Sequence, residues 1–284
     1  MLANLYVEHL DYHCFTQQRP YLFDELVHRF QQELLQPHGL HVDTALLERS
    51  SHHSFLEMSK SLLDPLAVQG KLEGVDLVVL AYCTPDVNVT DSVVCHLIHQ
   101  YQLEGANGFA ISDMGMAASW TALQVIADRF YTGSSQKAIL IALDQTTFPN
   151  RIAHVHDRQL RDAGSILLMS RTASEEESWS LVDRMYRYSP QGIEGRVNDT
   201  VASWSLEYSL KEERAVIVAH RSLEPCLYWV DQPVVYYDAD THLVTAPFIT
   251  WHQQLKGAPE YVWWMHYDDV HPFYYSALFR SHQV

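Results

Sequence analysis

Residues 103–143 read LEGANGFAISDMGMAASWTALQVIADRFYTGSSQKAILIAL. Two glycines precede the short apolar run at 109–111, and this arrangement predicts a strand. Apolar residues then recur at helical spacing over 116–131 on a mostly apolar surface, as in a helix that is buried in its fold. The run at 137–143 is typical of a buried strand. The stretch therefore predicts a strand, a tight turn, a buried helix and a second strand.

The tight turn has the pattern of a nucleophile elbow but lacks the nucleophile. A strand that turns sharply into a buried helix often carries a nucleophile, because the helix N-terminus stabilises negative charge. Residues 113–116 are Asp-Met-Gly-Met, and the nearby hydroxyl of Ser112 lies at the end of the strand. We expect Asp113 to cap the buried helix, with a role as a catalytic carboxylate as the alternative. The thioethers of Met114 and Met116 are suited to filling a vacated pocket.

Composition and charge argue against nucleic-acid-binding, secreted and membrane-spanning classes of protein. The chain has 284 residues and a formal net charge of −16, which argues against nucleic acid as a partner. The N-terminus has no signal-peptide pattern, and no run approaches the ~18 apolar residues of a membrane span, so we expect a cytoplasmic protein. Four widely spaced cysteines are expected to be free thiols: Cys14, Cys83, Cys95 and Cys226.

Strands and helices alternate along the whole chain. Strands are predicted at 4–12, 76–82, 109–111, 137–143, 163–170, 179–186, 214–219, 261–267 and 273–280. Helices are predicted at 21–36, 56–70, 87–101, 116–131, 201–212 and 245–255. This alternation predicts an α/β fold with a mostly parallel sheet. The second half is a shortened echo of the first, and an acidic link at 174–177 divides the chain into predicted halves at 1–172 and 173–284.

The order of these pieces resembles the β-ketoacyl carrier-protein synthase III family, over about residues 5–280. Residues 76–86, DLVVLAYCTPD, are similar to the family pattern DLIIxATxTPD. Residues 160–168 resemble the segment FGDGAGA, and residues 262–280 look like the C-terminal hairpin with its glycine-rich turn replaced. The resemblance implies a thiolase-like α/β fold. In it, two pseudo-repeated halves form a layered αβαβα arrangement, here with a shortened C-terminal half.

The resemblance also implies where a Cys-His-Asn triad would lie. In the family the Cys carries the acyl group as a thioester, and the His and Asn stabilise the enolate that attacks it. The Cys position falls at Gly115 or Met116, neither of which can form a thioester. His220 matches the His, and Asp240 or His242 occupies the Asn neighbourhood. The triad is therefore broken at two of three positions.

The resemblance favours a non-catalytic subunit that pairs with an active ketosynthase and shapes its acyl pocket. Cys-lacking subunits of this kind include the small subunit of the alkylquinolone-precursor synthase. Such a chain needs no cofactor or metal, and acyl carrier protein or acyl-coenzyme A is handled mainly by the partner. In thiolase-fold dimers the elbow strand pairs across the two-fold axis, which implies a set of interface residues. They are Phe109, Ile111, Ser112, Asp113 and Met114.

Two other functions stay open from the sequence. The chain is alternatively an enzyme that uses His220, with polar groups near Asp240, for malonyl decarboxylation or Cys-independent acyl transfer. A homodimeric acyl-binding protein is the third hypothesis. Cys83 is a weaker candidate for a displaced nucleophile, because it follows a buried strand and lies away from the elbow. His154, His156 and Asp157 are weaker candidates for metal ligands, for which a polar loop is the favoured interpretation. Cys95, within a predicted helix, is expected to be a core thiol.

Overall fold

The computed structural model describes residues 4–173, 178–190, 192–211, 214–237, 240–254, 257, 259–267 and 272–282, apart from the side chain of His154. The acidic link at 174–177 and the turn at 268–271 lie outside the described residues, so the predicted division into 1–172 and 173–284 stays a prediction. No helix within the described part of the chain is long and apolar enough to cross a membrane.

Ten strands run through the described residues. They are β1 (Tyr6–Cys14), β2 (Leu77–Tyr82), β3 (Asn107–Ile111), β4 (Lys137–Asp144), β5 (Ala163–Ser170), β6 (Ser178–Tyr188), β7 (Ala215–His220), β8 (Val234–Tyr237), β9 (Tyr261–Tyr267) and β10 (Phe273–His282). Most of the predicted strands are confirmed to within two residues. Short apolar runs of this kind are typical of strands that are covered on both faces of a sheet. The short strand β8 was not predicted.

Nine α-helices accompany these strands within the described ranges. They are α1 (Glu25–Leu35), α2 (Thr44–Leu47), α3 (Phe55–Val68), α4 (Val93–Gln100), α5 (Ala118–Thr132), α6 (Ala153–His156), α7 (Glu194–Glu207), α8 (Glu224–Leu227) and α9 (Ala246–Gln254). Three predicted helix starts are wrong. Helix α1 begins at Glu25, four residues after its predicted start, where the Asp24 side chain caps it. Helix α4 begins only at Val93, where the Ser92 hydroxyl accepts a hydrogen bond from Cys95 N, and α7 begins seven residues earlier than predicted, at Glu194.

The strand order shows an internal repeat. The order is β3-β2-β4-β5-β1-β6-β10-β9-β7-β8, so β1 to β5 and β6 to β10 form two five-stranded sheets with the same internal order. The two sheets meet where β1 pairs with β6 through Tyr6 and Val7. Each sheet is mixed rather than mostly parallel, because β4 and β5, like β9 and β10, pair antiparallel without a crossover helix.

The helices form three layers around these two sheets. Helices α5 and α9 lie between the sheets, in an apolar cluster that includes residues of both halves. Helices α3 and α4 cover the outer face of the first sheet, and α7 and α8 cover that of the second. Alternate residues of β2 face opposite sides, with Val79 in the inner cluster and Leu80 in the outer one. The layered αβαβα arrangement predicted for the thiolase-like fold is confirmed.

Candidate functional site

The start of α5 is the place where the family resemblance puts the catalytic cysteine. After β3, the chain turns through left-handed backbone conformations at Asp113 (φ 50°) and Gly115 (φ 53°). A 3-10 turn at Gly115–Ala117 then leads into α5. Met114 and Met116 are half-buried and pack against the inner cluster. Neither Gly115 nor Met116 offers a nucleophile at this helix start.

The prediction that Asp113 caps the helix is wrong. Met114 occupies the N-cap position of the 3-10 turn and Ala117 that of α5, and neither side chain makes a capping hydrogen bond. The Asp113 side chain is exposed. The 3-10 turn lies between the elbow and the helix, so the cap position moves past the residue that the spacing favoured.

His220 lies at the end of β7, where its ring is held by a short hydrogen-bond chain. The Ser222 hydroxyl donates its one proton to the carbonyl of Tyr267, 2.8 Å away. Nδ1 of His220 lies 2.9 Å from this hydroxyl and accepts a hydrogen bond from Ser222 N at 3.4 Å. These contacts fix the orientation of the ring at the end of β7.

Two further rings lie against His220. The ring centroids of His220 and His266 are 5.0 Å apart, and those of His220 and Tyr237 are 5.5 Å apart. His266 is fully buried, and its Nδ1 lies 2.9 Å from the Tyr237 hydroxyl. Burial, and secondarily the neighbouring His220, holds the pKa of His266 well below its usual range. Burial also raises the pKa of Tyr237 well above its usual range, so both groups are neutral at pH 7.

Aromatic side chains fill the inner layer between the start of α5 and these histidines. Trp120, in the first turn of α5, stacks on His266 with ring centroids 5.9 Å apart. It also makes an edge contact with Trp264 at 5.2 Å. Trp264 in turn packs edge-on against Trp251 of α9, at 4.5 Å. Tryptophan rings therefore pack in a continuous series from His266 to α9.

Where the family resemblance puts the Asn of the triad, the structure has His242 beside Cys14. Nε2 of His242 lies 3.9 Å from Sγ of Cys14, at the end of β1. Burial, with the nearby Arg161 second, lowers the pKa of His242 to about 4, and burial raises the pKa of the Cys14 thiol. The pair is therefore a neutral imidazole beside a neutral thiol at pH 7. Asp240 is exposed in a turn. The structure brings His220 together with His266 and Tyr237, and His242 together with Cys14.

A buried carboxylate joins the two halves beside this pair. Asp144, at the end of β4, accepts hydrogen bonds from Leu243 N at 2.7 Å and Val244 N at 2.8 Å, and from the Thr245 hydroxyl. These donors immediately precede α9. Burial raises the pKa of Asp144 to about 6, although the hydrogen bonds oppose that rise. No local sequence pattern signals this contact, because its partners are about a hundred residues apart.

The residues that the sequence marked as weaker candidates have ordinary structural contacts. Cys83 is half-buried against the inner cluster, which agrees with a core thiol. Cys95, expected to be a core thiol, is instead exposed on α4. His156 uses Nδ1 to accept a hydrogen bond from the backbone of Ile152, and Asp157 pairs with Arg151. The side chain of His154 is not among those described. Within the described residues, no group of three His, Cys, Asp or Glu side chains is placed to hold a metal ion.

The predicted interface residues lie at one border of the sheet. Strand β3 is an edge strand that pairs only with β2 among the described strands. Asn107, Gly108 and Ala110 are exposed, whereas Phe109 and Ile111 are half-buried against the inner cluster. The edge is short and carries no charged side chain within β3. An uncharged edge of this kind is suited to pairing with another strand.

No protein-family model and no curated protein sequence matches this chain. Solved structures match it over nearly the whole length of both chains. 3-Oxoacyl-(acyl carrier protein) synthase III, FabH, from Pseudomonas aeruginosa PAO1 is 15% identical, with a TM-score of 0.62 over 97% of this chain and 98% of that one. A variant of OleA from Xanthomonas campestris is 9% identical, with a TM-score of 0.65 over 98% of each chain. The tetronic acid condensing enzyme AbyA1 is 12% identical, with a TM-score of 0.66 over 97% of this chain and 99% of that one. The chain therefore shares the thiolase-like fold of these condensing enzymes.

Proposed function

We propose that this chain is a non-catalytic ketosynthase III-like subunit. In this proposal it pairs with an active ketosynthase in cytoplasmic biosynthesis of the fatty-acid or polyketide type, stabilises that partner and shapes its acyl pocket. The observation that carries the proposal is the start of α5, where the family resemblance puts the acyl-carrying thiol and where neither Gly115 nor Met116 has one. Trp120, in the first turn of the same helix, stacks on His266.

The chemistry of acyl condensation supports a role without catalysis. A thioester intermediate requires a thiolate, and the start of a buried helix lowers the thiol pKa to supply one. A methionine thioether has no proton to lose and a glycine has no side chain. Three rings in the inner layer, Trp120, Tyr237 and His266, contact one another or His220 and occupy volume that an acyl chain would need.

The edge strand β3 is the proposed contact with the partner. Its outer backbone groups would pair with a strand of the active ketosynthase, and Phe109, Ile111, Ser112, Asp113 and Met114 would lie at or beside that contact. The net charge of −16 favours a partner whose facing surface is basic. Acyl carrier protein, which is itself acidic, would then be bound by the partner rather than by this chain.

A second candidate function is favoured by the geometry of His220. Contacts of its Nδ1 with Ser222 hold the ring beside His266 and Tyr237. Direct acyl transfer would use this imidazole as the base that takes the proton of the acceptor, and malonyl decarboxylation would use its N–H to stabilise the enolate that remains when carbon dioxide leaves; neither step needs a thiol.

Co-expression tests the proposal directly. The tagged chain would be produced with each ketosynthase III-type enzyme of the same organism, and complexes would be characterised by size-exclusion chromatography with mass determination. A series of saturated acyl-coenzyme A thioesters would then be added, and each subunit would be examined by intact-mass spectrometry. A one-to-one complex with a thioester on the partner alone is the expected result.

Three other results would contradict the proposal. A stable homodimer that ignores every ketosynthase, but binds acyl-coenzyme A without turnover, would identify a homodimeric acyl-binding protein. Turnover by the pure chain that is lost in His220→Ala would establish the second candidate. Retention of the complex in Ala110→Lys would show that the β3 edge is not the contact, since this exposed side chain would place a charge on that edge.

A further inference from the structure

Helix α1 exposes an apolar face for which the described residues provide no cover. Leu26, Phe30 and Leu34 recur at helical spacing and are 57%, 42% and 57% exposed. Leu22 and Phe23, directly before the helix, are 82% and 62% exposed. No residue of α1 is buried. These five residues form what we call the α1 face, and a patch of this kind on a folded protein marks an interaction surface.

The helix is nonetheless well formed at its N-terminus. The Asp24 carboxylate accepts a hydrogen bond from Val27 N at 3.0 Å, and Glu25 adds negative charge to the first turn. An isolated helix of 11 residues is marginal in water, and most helices depend on burial of an apolar face. The α1 face therefore lacks the contact that normally stabilises such a helix.

Three residues of the α1 face, Leu22, Phe30 and Leu34, line one wall of a groove. Its volume is about 310 Å³, and its far wall is the β2–α4 loop, including Pro85, Val87 and Val89. A second groove of about 350 Å³ lies on the other side of this loop and is lined by Gly108, Phe109 and Ala110 of β3. The two grooves share Pro85, Asp86, Asn88 and Val89. The α1 face is therefore continuous with the edge strand β3.

The charges around the grooves indicate the chemistry of the occupant. Asp24 and Asp86 line the first groove, Asp86 and Asp91 line the second, and no Lys or Arg among the described residues lines either. With the chain at −16 overall, an anionic membrane surface would be repelled. A protein segment with apolar side chains and flanking Lys or Arg residues would complement both the apolar floor and the acidic rim.

We propose that the α1 face and its groove form a second part of the contact with the ketosynthase partner, occupied by an apolar segment of that partner flanked by basic side chains. This inference rests on the proposed function. One partner chain would pair with the β3 edge and continue over the β2–α4 loop onto α1. The contact would explain why an apolar helix stays exposed in the single chain.

The test compares two exposed positions on α1 with a distant one. The variants are Leu26→Asp and Phe30→Asp, with Leu206→Asp as the matched control, because Leu206 is 84% exposed on α7 of the other half. All three side chains face solvent, so circular dichroism and the melting temperature should match the unmodified chain. Dissociation constants would be measured by titration calorimetry with the ketosynthase that pairs with the chain.

Each α1 variant is expected to weaken binding by about 30-fold, as for a central apolar anchor. Leu206→Asp should bind as the unmodified chain does, and association should slow as salt is added. If the α1 variants bind normally while Ala110→Lys does not, this inference fails and the proposed function stands. If no ketosynthase binds the unmodified chain, both fail.

Two further outcomes would overturn the inference by naming another occupant. Conversion of a homodimer into a monomer by Leu26→Asp, without any effect on ketosynthase binding, would assign the α1 face to a second copy of this chain. Binding of the unmodified chain to phosphatidylcholine–phosphatidylglycerol vesicles, lost in both α1 variants, would assign it to a lipid surface.

Discussion

Replacing Asp144 with asparagine should change how the stability of this protein depends on pH. The Asp144 carboxylate is buried between the two halves and receives hydrogen bonds from Leu243 N, Val244 N and the Thr245 hydroxyl. Burial raises its pKa from 3.8 to about 6 in the folded state. The folded protein therefore binds this proton more tightly than the unfolded chain does.

The size and sign of the effect follow from that pKa difference. At 1.36 kcal/mol per pH unit, the change from 3.8 to about 6 corresponds to about 3 kcal/mol. A raised acid pKa contributes stability at low pH that is lost as the pH rises from about 4 to about 6. Between about pH 4.5 and pH 7.5, the unmodified protein should lose about 2 kcal/mol relative to Asp144→Asn, whose side chain does not titrate.

The measurement is urea unfolding of both proteins at these two pH values. The unfolding free energy of the unmodified protein minus that of Asp144→Asn should be larger at the lower pH than at the higher pH. Asp113→Asn is the control, because it makes the same carboxyl-to-amide change at an exposed side chain. A difference that is constant, or that grows with rising pH, would refute the reasoning that burial dominates the hydrogen bonds at Asp144.

Three other substitutions test the packing and the site, and two of them have a control at a less crowded position. Gly108→Ala should destabilise by about 1–3 kcal/mol, because its Cβ would lie 2.2 Å from Val94 Cγ1 and 2.7 Å from Ile98 Cδ1. Gly195→Ala, with nothing within 4 Å, should not lower the melting temperature. Trp120→Ala should cost about 3–5 kcal/mol in urea unfolding by opening the inner layer, whereas the half-exposed Trp229→Ala should cost about 1 kcal/mol or less; equal losses would contradict the packing argument. His220→Ala should leave the turnover of the ketosynthase complex within about twofold, and a loss of about a hundredfold or more would instead assign His220 the role of a general base.

The sequence predicted most of the strands from local pattern alone. The runs at 76–82, 137–143, 163–170 and 261–267 are apolar and bounded by polar or turn residues, so burial on both faces leaves little choice. The order of segments, through the family resemblance, also indicated the thiolase-like fold. The local pattern predicted the wrong N-cap where a short turn lies between strand β3 and helix α5. At Asp113 the left-handed backbone and the following 3-10 turn displaced the expected cap.

The contacts at the candidate site are made by residues that are far apart along the chain. Cys14 and His242 are 228 residues apart, and no local spacing joins them. The stacking of Trp120 on His266, which fills the space beside His220, depends on how the inner helix of one half lies on the sheet of the other. The same holds for α1, whose amphipathic pattern predicts a helix but not whether its apolar face is covered. The helices, the strands and their order depend on neighbours along the chain, so the amino-acid sequence predicts them. The pairs of side chains that meet, and the apolar face that stays exposed, depend on elements that are distant along the chain, so they follow only from the three-dimensional fold.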